Sequence, residues 1–185
     1  MGFPIFNLAE YASIIKSLSI PNEVHEFVWD MDLESLKEKG FDTIVLDVDN
    51  TILSNHQRNL SLQHLNWVQK CKDVGFDVYI LSNNRSAKRI HRVCNQVDSH
   101  GYYLALKPLP FTLALLQKTY QFSYSKTIVV GDQVLKDVFL ANWVKAYSIL
   151  VKPIDESRGP IERFQRKLEL YLLQKYSVNL PYKLI

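Results

Sequence analysis

Two aspartates stand two positions apart at the end of an apolar run, in the segment IVLDVDNTIL. If this run is a β-strand, Asp47 and Asp49 point to the same face, because side chains i and i+2 of a strand share a face. Two converging carboxylates repel each other and resist desolvation unless a cation neutralises them. The alternative is a polar turn that caps the strand, since Asp and Asn both favour turns. We favour a cation site over the turn.

Further polar residues follow later apolar runs. Ser82 ends the run in YILSNN, where a hydroxyl can donate to a phosphoryl oxygen, and Lys107 in ALKPLP offers a compact positive charge that suits phosphate. The segment GDQVLKD supplies Asp132 and Asp137. The alternatives are helix caps for Ser82 and Asp132 and solvated positions for the other two. Magnesium takes oxygen ligands and needs only one or two carboxylates besides substrate phosphate, which Asp132 and Asp47 would provide.

The runs that precede these residues predict the strands of an α/β fold. They cover residues 41–48, 76–82, 101–106, 126–132 and 146–151. Segments with helical apolar spacing lie between them, at 62–72, 87–97, 110–120 and 134–144. This alternation predicts a three-layer α/β/α domain around a mainly parallel, five-stranded sheet. Because ligands of such sheets bind beyond the carboxyl ends of the strands, we expect the polar residues to meet at one edge.

Two extensions flank the predicted core of residues 41–151. Residues 1–40 form a predicted N-terminal helical extension, with apolar residues at helical spacing at Ile5, Leu8, Tyr11, Ile15 and Leu18. Residues 152–185 begin with the turn-rich segment PIDESRGP and continue into a helix that we expect to pack on the core. The alternative for both extensions is a surface that lies on an anionic membrane through apolar and basic residues.

Composition narrows the possible classes of protein. The 185 residues suit one domain, and 47 % apolar with 22 % charged residues excludes disordered and collagen-like chains. The net charge of +3 is too small for a nucleic-acid partner. Cys71 and Cys94 have no C-x-x-C spacing, and there is no secretion signal or apolar run of 18 residues. We expect a cytoplasmic protein, with peripheral contact at the inner face of the membrane as an open alternative.

Taken in chain order, the polar residues resemble the four motifs of the haloacid dehalogenase (HAD) superfamily. The matching residues are Asp47, Asp49 and Thr51 in D-x-D-x-T, then Ser82, Lys107, and G-D-x-x-x-x-D at 131–137. The second Asp of the first motif is typical of the phosphatase branches. The strings LDVDNT, LSNN, A-x-KPLP and GDQ-x-x-x-DV resemble the YqeG-type branch, subfamily IIIA, which is related to the phosphatidylglycerophosphate phosphatases. Lys136 departs from the Thr often found there.

The resemblance implies a HAD-like Rossmannoid fold and hydrolysis of a phosphomonoester through an aspartyl-phosphate. Asp47 would attack phosphorus, and Asp49 would protonate the leaving alcohol and then activate water. Thr51 would help to hold the loop and Asp49 in place.

The same resemblance implies a phosphate site and a metal site. Thr51, Ser82, Asn83 and Lys107 would bind the phosphoryl group. A Mg²⁺ cofactor would be held by Asp47, Asp132 and the backbone carbonyl of Asp49. Asp137 would hold a water of the metal or orient Lys107.

The spacing of the motifs bears on the substrate. Only 30 residues separate Thr51 from Ser82, which one α/β unit consumes, so we expect no cap domain over the site. An open site admits a large or surface-bound phosphomonoester, and Arg85 is the best candidate to contact a second anionic group such as the phosphodiester of phosphatidylglycerophosphate. The expected substrate is this lipid or a similar head group. The alternatives are a soluble phosphometabolite, a phosphoprotein, or a non-catalytic adaptor with the same fold.

Overall fold

Short runs of β-branched and aliphatic residues form a central parallel sheet. The computed structural model of the chain describes residues 7–156 and 159–182, and the sheet in this part has six strands. They are β1 (Glu23–His25), β2 (Thr43–Leu46), β3 (Asp77–Leu81), β4 (His100–Tyr102), β5 (Thr127–Gly131) and β6 (Tyr147–Val151). Their order across the sheet is β1-β6-β5-β2-β3-β4, and each neighbouring pair is parallel.

The predicted α/β class and parallel sheet are confirmed, but the predicted number of five strands is wrong. The sixth strand, β1, comes from the N-terminal region and pairs with β6 through Glu23 and Ile149, so that β1 forms this edge of the sheet. A strand of three residues, EVH, is too short to show the two-residue alternation from which strands are predicted. The run at 101–106 is also shorter in the sheet than predicted, since β4 ends at Tyr102.

Helices cover both faces of the sheet. Seven α-helices lie in the described residues: α1 (Leu8–Ser19), α2 (Leu33–Glu38), α3 (Leu62–Asp73), α4 (Ala87–Gln96), α5 (Phe111–Tyr120), α6 (Phe139–Trp143) and α7 (Pro160–Lys175). Polar side chains cap the first four at Asn7, Asp32, Ser61 and Ser86, each accepting a backbone N–H of the first turn. A π-turn at Val134–Val138 leads into α6. Of the residues used to predict the first helix, Ile5 lies outside the described part.

Alternate residues of each central strand pack into separate cores. On β2, Ile44 and Leu46 belong to one cluster with side chains of α3 and α4, whereas Val45 belongs to a second cluster with α5 and α6. This is the three-layer arrangement predicted from the sequence. The connections from β2 to β3 and from β3 to β4 each contain one helix, so neither inserts a further domain over the carboxyl edge of the sheet. No helix among the described residues is long and apolar enough to cross a bilayer.

Candidate active site

The carboxyl ends of the two central strands bring three acids together. Asp47 follows β2 and Asp132 follows β5, and the N–H of Asp47 donates to the carbonyl of Val130 at 2.9 Å. Asp137 reaches the same place from the π-turn, and a Cβ at Gly131 would overlap its carboxylate, so only glycine fits there. Carboxylate oxygens of Asp47, Asp132 and Asp137 all lie within 4.8 Å of one another. All three acids are buried.

Lys107 lies between two of these acids. Its Nζ donates to Asp47 Oδ1 and to Asp137 Oδ1, each at 2.6 Å. Burial alone would lower the pKa of Lys107, but the carboxylates of Asp137 and Asp47 raise this pKa above its ordinary value. The Asn83 amide holds the Lys107 backbone from both sides, donating to its carbonyl at 2.9 Å and accepting its N–H at 2.7 Å. Asn83, predicted to bind phosphate, therefore positions Lys107 in this structure.

Two acids of the cluster have raised pKa values, chiefly because they are buried. Burial, opposed by Lys107 and reinforced by Asp137, raises the pKa of Asp47 to about 6. Burial also raises the pKa of Asp132 to about 7, although Arg166 works in the opposite direction. In the described chain, Asp47, Asp132 and Asp137 share two cationic partners, Lys107 and Arg166. Clustered buried carboxylate oxygens with a deficit of positive charge fit a divalent cation.

Thr51 lies on the side of the site where the acids cluster. Its hydroxyl donates to Asp47 Oδ2 at 3.1 Å and lies 3.4 Å from Asp132 Oδ1. The turn that places it runs from Val48 to Thr51, with Asn50 at a positive φ of 65°, and is closed by the Thr51 N–H on the Val48 carbonyl. The predicted roles of Thr51, which are to hold the loop and Asp49 and to bind phosphate, stay predictions.

Asp49 lies apart from the three-acid cluster and faces α4. Its Oδ1 accepts Arg89 Nε at 2.8 Å, and its Oδ2 accepts Asn84 Nδ2 at 2.8 Å. The hydroxyl of Ser82 lies 3.4 Å from the same Oδ2. Arg89 also donates to the carbonyls of Ser54 and Gln57, at 3.0 and 2.7 Å, so it ties the loop after β2 to α4. The predicted metal ligand at Asp49 is its backbone carbonyl. The contacts of the side chain do not test that prediction.

Two arginines contact the acids without having been assigned to the site from sequence. Arg89 lies in the basic segment RSAKRIHR, whose residue pattern fits a solvated helix face as well as a site. Arg166 of α7 donates to both the carboxylate and the carbonyl of Asp132. Glu169, which is 3 % exposed, accepts from Arg166 at 3.2 Å and from the Leu135 N–H at 3.0 Å. Thirty-four residues separate Arg166 from Asp132, and no local pattern links them.

Arg85, a predicted substrate contact, forms no ion pair with the acids in the described part of the chain. It is exposed in the turn before α4. The structure thus gathers Asp47, Lys107 and the acids that follow β5 into one buried group, with Asp49 and Ser82 at its edge.

Comparison with known proteins supports the class of fold and then a narrower relationship. The parallel α/β fold is shared with an uncharacterized protein from Listeria monocytogenes serotype 4b, at a TM-score of 0.51 and 18 % identity over 72 % of this chain and 99 % of that one. No family model matches the chain. The class of fold is therefore a parallel α/β fold with the motif residues Asp47, Lys107 and Asp132 gathered at its carboxyl edge.

Two curated relatives narrow the class. The chain is 29 % identical over 160 residues to "Probable phosphatase YqeG" from Bacillus subtilis (strain 168), covering 86 % of this chain and 92 % of that protein. It is 26 % identical over 155 residues to "Phosphatidylglycerophosphate phosphatase 1, chloroplastic/mitochondrial" from Arabidopsis thaliana, covering 79 % of this chain and 44 % of that protein. The resemblance predicted from the motifs is confirmed: the chain is similar to a YqeG-type phosphatase and to a phosphatidylglycerophosphate phosphatase, and both relatives support the predicted enzyme class of phosphatase.

Proposed function

We propose that the chain is a magnesium-dependent phosphomonoesterase that forms an aspartyl-phosphate at Asp47 and acts on phosphatidylglycerophosphate or a similar phospholipid head group. The observation that carries this proposal is the position of Asp47. Its two oxygens are held by Lys107 at 2.6 Å and Thr51 at 3.1 Å, within 4.8 Å of the Asp132 and Asp137 carboxylates. A carboxylate fixed in this way is oriented to act as a nucleophile.

In the first step, an oxygen of Asp47 attacks phosphorus as the bond from phosphorus to the alcohol oxygen breaks. Asp49 gives its proton to that oxygen, so the alcohol leaves neutral. In the second step, Asp49 takes a proton from water, the water oxygen attacks phosphorus, and the bond to Asp47 breaks. Inorganic phosphate is released and both carboxyl groups return to their starting states.

Lys107 and Ser82 would contact the phosphoryl oxygens, where charge develops in the transition state. Lys107 is buried and fixed by Asp137 and by the Asn83 clamp on its backbone, so it needs little reorganisation when the phosphate arrives. A Mg²⁺ ion held by Asp47, Asp132 and the Asp49 carbonyl would supply the positive charge that lets an anionic nucleophile approach an anionic phosphate. The deficit of positive charge among the buried acids supports this assignment.

Two observations support a large lipid substrate over a small soluble one. The connections from β2 to β3 and from β3 to β4 insert no further domain over the site, and the Arabidopsis thaliana relative is named for phosphatidylglycerophosphate. Exposed Arg85 is available for a second anionic group, although it makes no ion pair with the site. A non-catalytic adaptor is disfavoured because each position of the proposed chemistry holds a competent residue.

A substrate panel tests the proposal. Purified protein with Mg²⁺ is given phosphatidylglycerophosphate in mixed micelles, a set of soluble phosphometabolites, a phosphopeptide and p-nitrophenyl phosphate, with Asp47→Asn as the matched control. We expect phosphate release that requires Mg²⁺ and Asp47, with the highest kcat/KM on the lipid. A higher kcat/KM on a soluble compound would replace the lipid assignment. Absence of hydrolysis on every compound would favour the adaptor.

A further inference from the structure

A loop with exposed apolar side chains borders the proposed phosphate site. It runs from Tyr103, which follows β4, to Phe111, which is the first residue of α5. Leu104, Leu106 and Leu109 are 43 %, 58 % and 42 % exposed, and Phe111 is 69 % exposed. Lys107 lies in the same loop but points inward, where it is buried against the acids. The loop therefore presents large apolar side chains to solvent directly beside the residue that would hold phosphate.

The backbone of this loop is held in a conformation that leucine rarely adopts. Leu104 has a φ of 49° and Leu106 a φ of 58°, in the left-handed region that is sterically unfavourable for residues other than Gly, Asn and Asp. Hydrogen bonds to the segment after β3 keep it there, from the Leu104 N–H to the Asn84 carbonyl and from the Ala105 N–H to the Ser82 carbonyl, each at 2.9 Å. Strained backbone of this kind is concentrated at functional sites. The strained loop therefore points to a function for the exposed leucines.

Basic side chains lie on the helix beside this loop. Residues 78–131 contain seven Lys and Arg residues, of which Lys107 and Arg89 are paired with acids of the site and Lys126 lies near Asp42. Three of the basic side chains, Arg85, Lys88 and Arg92, lie on or directly before α4. The rings of His91 and Tyr103 are 6.0 Å apart, which places α4 against the start of the loop. An apolar surface bordered by positive charge is complementary to an anionic lipid surface.

We propose that loop 103–111 and the first turns of α4 form a docking surface for an anionic phospholipid bilayer. The leucines and Phe111 would enter the interface between head groups and acyl chains, while Arg85, Lys88 and Arg92 would face lipid phosphates. The docked orientation would place Lys107 and the buried acids at head-group depth. This inference deepens the proposed function by naming how a lipid substrate is reached.

A second exposed apolar surface lies on α7, and the experiment has to distinguish it from loop 103–111. Ile161 and Phe164 of α7 are 82 % and 70 % exposed, and the sequence leaves open that the terminal helices lie on a membrane. The opposite face of α7 carries Arg166, which pairs with Asp132, so this helix meets the site from the side of β5. Loop 103–111 meets it from the side of β3. The two surfaces are therefore separable by mutation.

The experiment is co-sedimentation of the whole chain with vesicles of phosphatidylglycerol and phosphatidylcholine, against vesicles of phosphatidylcholine alone. The loop is altered by Leu104→Asn with Leu106→Asn, because Asn is polar and tolerates positive φ. Phe111→Ser is a second, independent variant at the start of α5. Trp143→Ser is the matched control, since Trp143 is also exposed, at 52 %, but is the last residue of α6, shortly before the amino end of β6.

We expect the wild type and Trp143→Ser to bind anionic vesicles equally, and both loop variants to bind at least tenfold more weakly with unchanged circular dichroism. Binding to phosphatidylcholine alone should be weak for all. Equal binding by the loop variants, or no binding by the wild type, would overturn the proposal. Loss of binding in Phe164→Ser alone would assign the contact to α7. A dimer that the loop variants dissociate in sedimentation velocity would assign the loop to self-association.

One further variant separates this inference from the proposed chemistry. Asp47→Asn should bind anionic vesicles as the wild type does while releasing no phosphate. If the wild type binds vesicles but hydrolyses no phosphomonoester, the proposed function fails and the docking surface stands. If it hydrolyses soluble phosphomonoesters in a Mg²⁺-dependent manner but ignores anionic vesicles, the docking surface fails alone.

Discussion

Asp47 and Asp49 are separated by a single residue and lie in opposite environments. The Asp47 side chain is 9 % exposed and bound by Lys107 and Thr51. The Asp49 side chain is 24 % exposed and bound by Arg89 and Asn84. Burial raises the pKa of Asp47 to about 6. One carboxyl group is thus held in a dry cluster of charges, and the other lies at the water-accessible edge.

This difference suits two different tasks. A nucleophile benefits from a fixed position and from exclusion of water, because its electrostatic interactions are stronger in a dry site. A group that donates a proton to an alcohol and then accepts one from water must be reached by water. The separation of the two aspartates onto different sets of partners therefore argues for the assignment of Asp47 as nucleophile and Asp49 as acid and base. Each of the following variants or conditions changes the environment of one of these two aspartates.

The largest effect is expected from Asp47→Asn. The amide is nearly isosteric with the carboxylate but cannot attack phosphorus, so kcat should fall by about 10⁴-fold or more. Steady-state release of phosphate measures this, and circular dichroism checks that the fold is kept. Asp137→Asn is the matched control, because it also removes a carboxylate bound to Lys107; we expect it to retain measurable turnover. Wild-type rates in Asp47→Asn would exclude the proposed mechanism.

Asp49→Asn should slow the reaction by about 10²- to 10⁴-fold, because the proton transfers are lost while the nucleophile remains. The loss in the first step should be smaller with p-nitrophenyl phosphate than with an alkyl phosphate, since nitrophenolate leaves without a proton. Rapid-quench kinetics on both substrates distinguish the two steps. An identical loss of the first step for both leaving groups would remove Asp49 from the role of acid.

Arg89 should act as a positioning residue for Asp49. Arg89→Met removes the 2.8 Å contact and the ties to the loop carbonyls, and we expect kcat to fall by about tenfold, with a shift in the pH dependence of kcat. Arg89→Lys keeps the charge and should recover part of the loss. If Arg89 acted only on the fold, the pH profile of Arg89→Met would match that of the wild type.

The smallest effect concerns stability against pH in metal-free protein. The folded pKa of Asp47 is about 6 against an ordinary value of 3.8, so between these values the folded state binds more protons than the unfolded state. The free energy of unfolding should therefore fall as pH rises from about 4 to about 6, by roughly 2 kcal/mol from Asp47. Asp47→Asn should show a smaller fall. Chemical denaturation in EDTA at several pH values measures both.

Saturating Mg²⁺ should reverse part of this loss in the wild type, because a cation that binds only the folded state stabilises it. A free energy of unfolding that rises with pH to the same extent in both proteins would show that Asp47 does not lie in a proton-binding, charge-deficient site.

The sequence predicted where the acids of the site lie, but it did not predict the arginines that bind them. Parallel strands that end at one edge account for the grouping of Asp47 and Asp132, which directly follow β2 and β5. Lys107 reaches the same place through the loop after β4, where Asn83 holds its backbone. Arg89 and Arg166 could not be assigned, since their contacts depend on how α4 and α7 pack on the sheet. The strand β1 was missed because three residues carry no periodic signal. The assigned site roles and domain boundaries stay predictions.

Trapping the phosphoenzyme tests the central claim most directly. Asp49→Asn, which should slow dephosphorylation, is mixed with Mg²⁺ and p-nitrophenyl phosphate, quenched in acid and reduced with borohydride, which converts an aspartyl-phosphate to homoserine. Peptide mass spectrometry then locates the reduced residue. We predict homoserine at position 47, and none when substrate is omitted. Reduction at position 132 or 137, or no reduced residue during active turnover, would contradict the assignment of Asp47 as nucleophile.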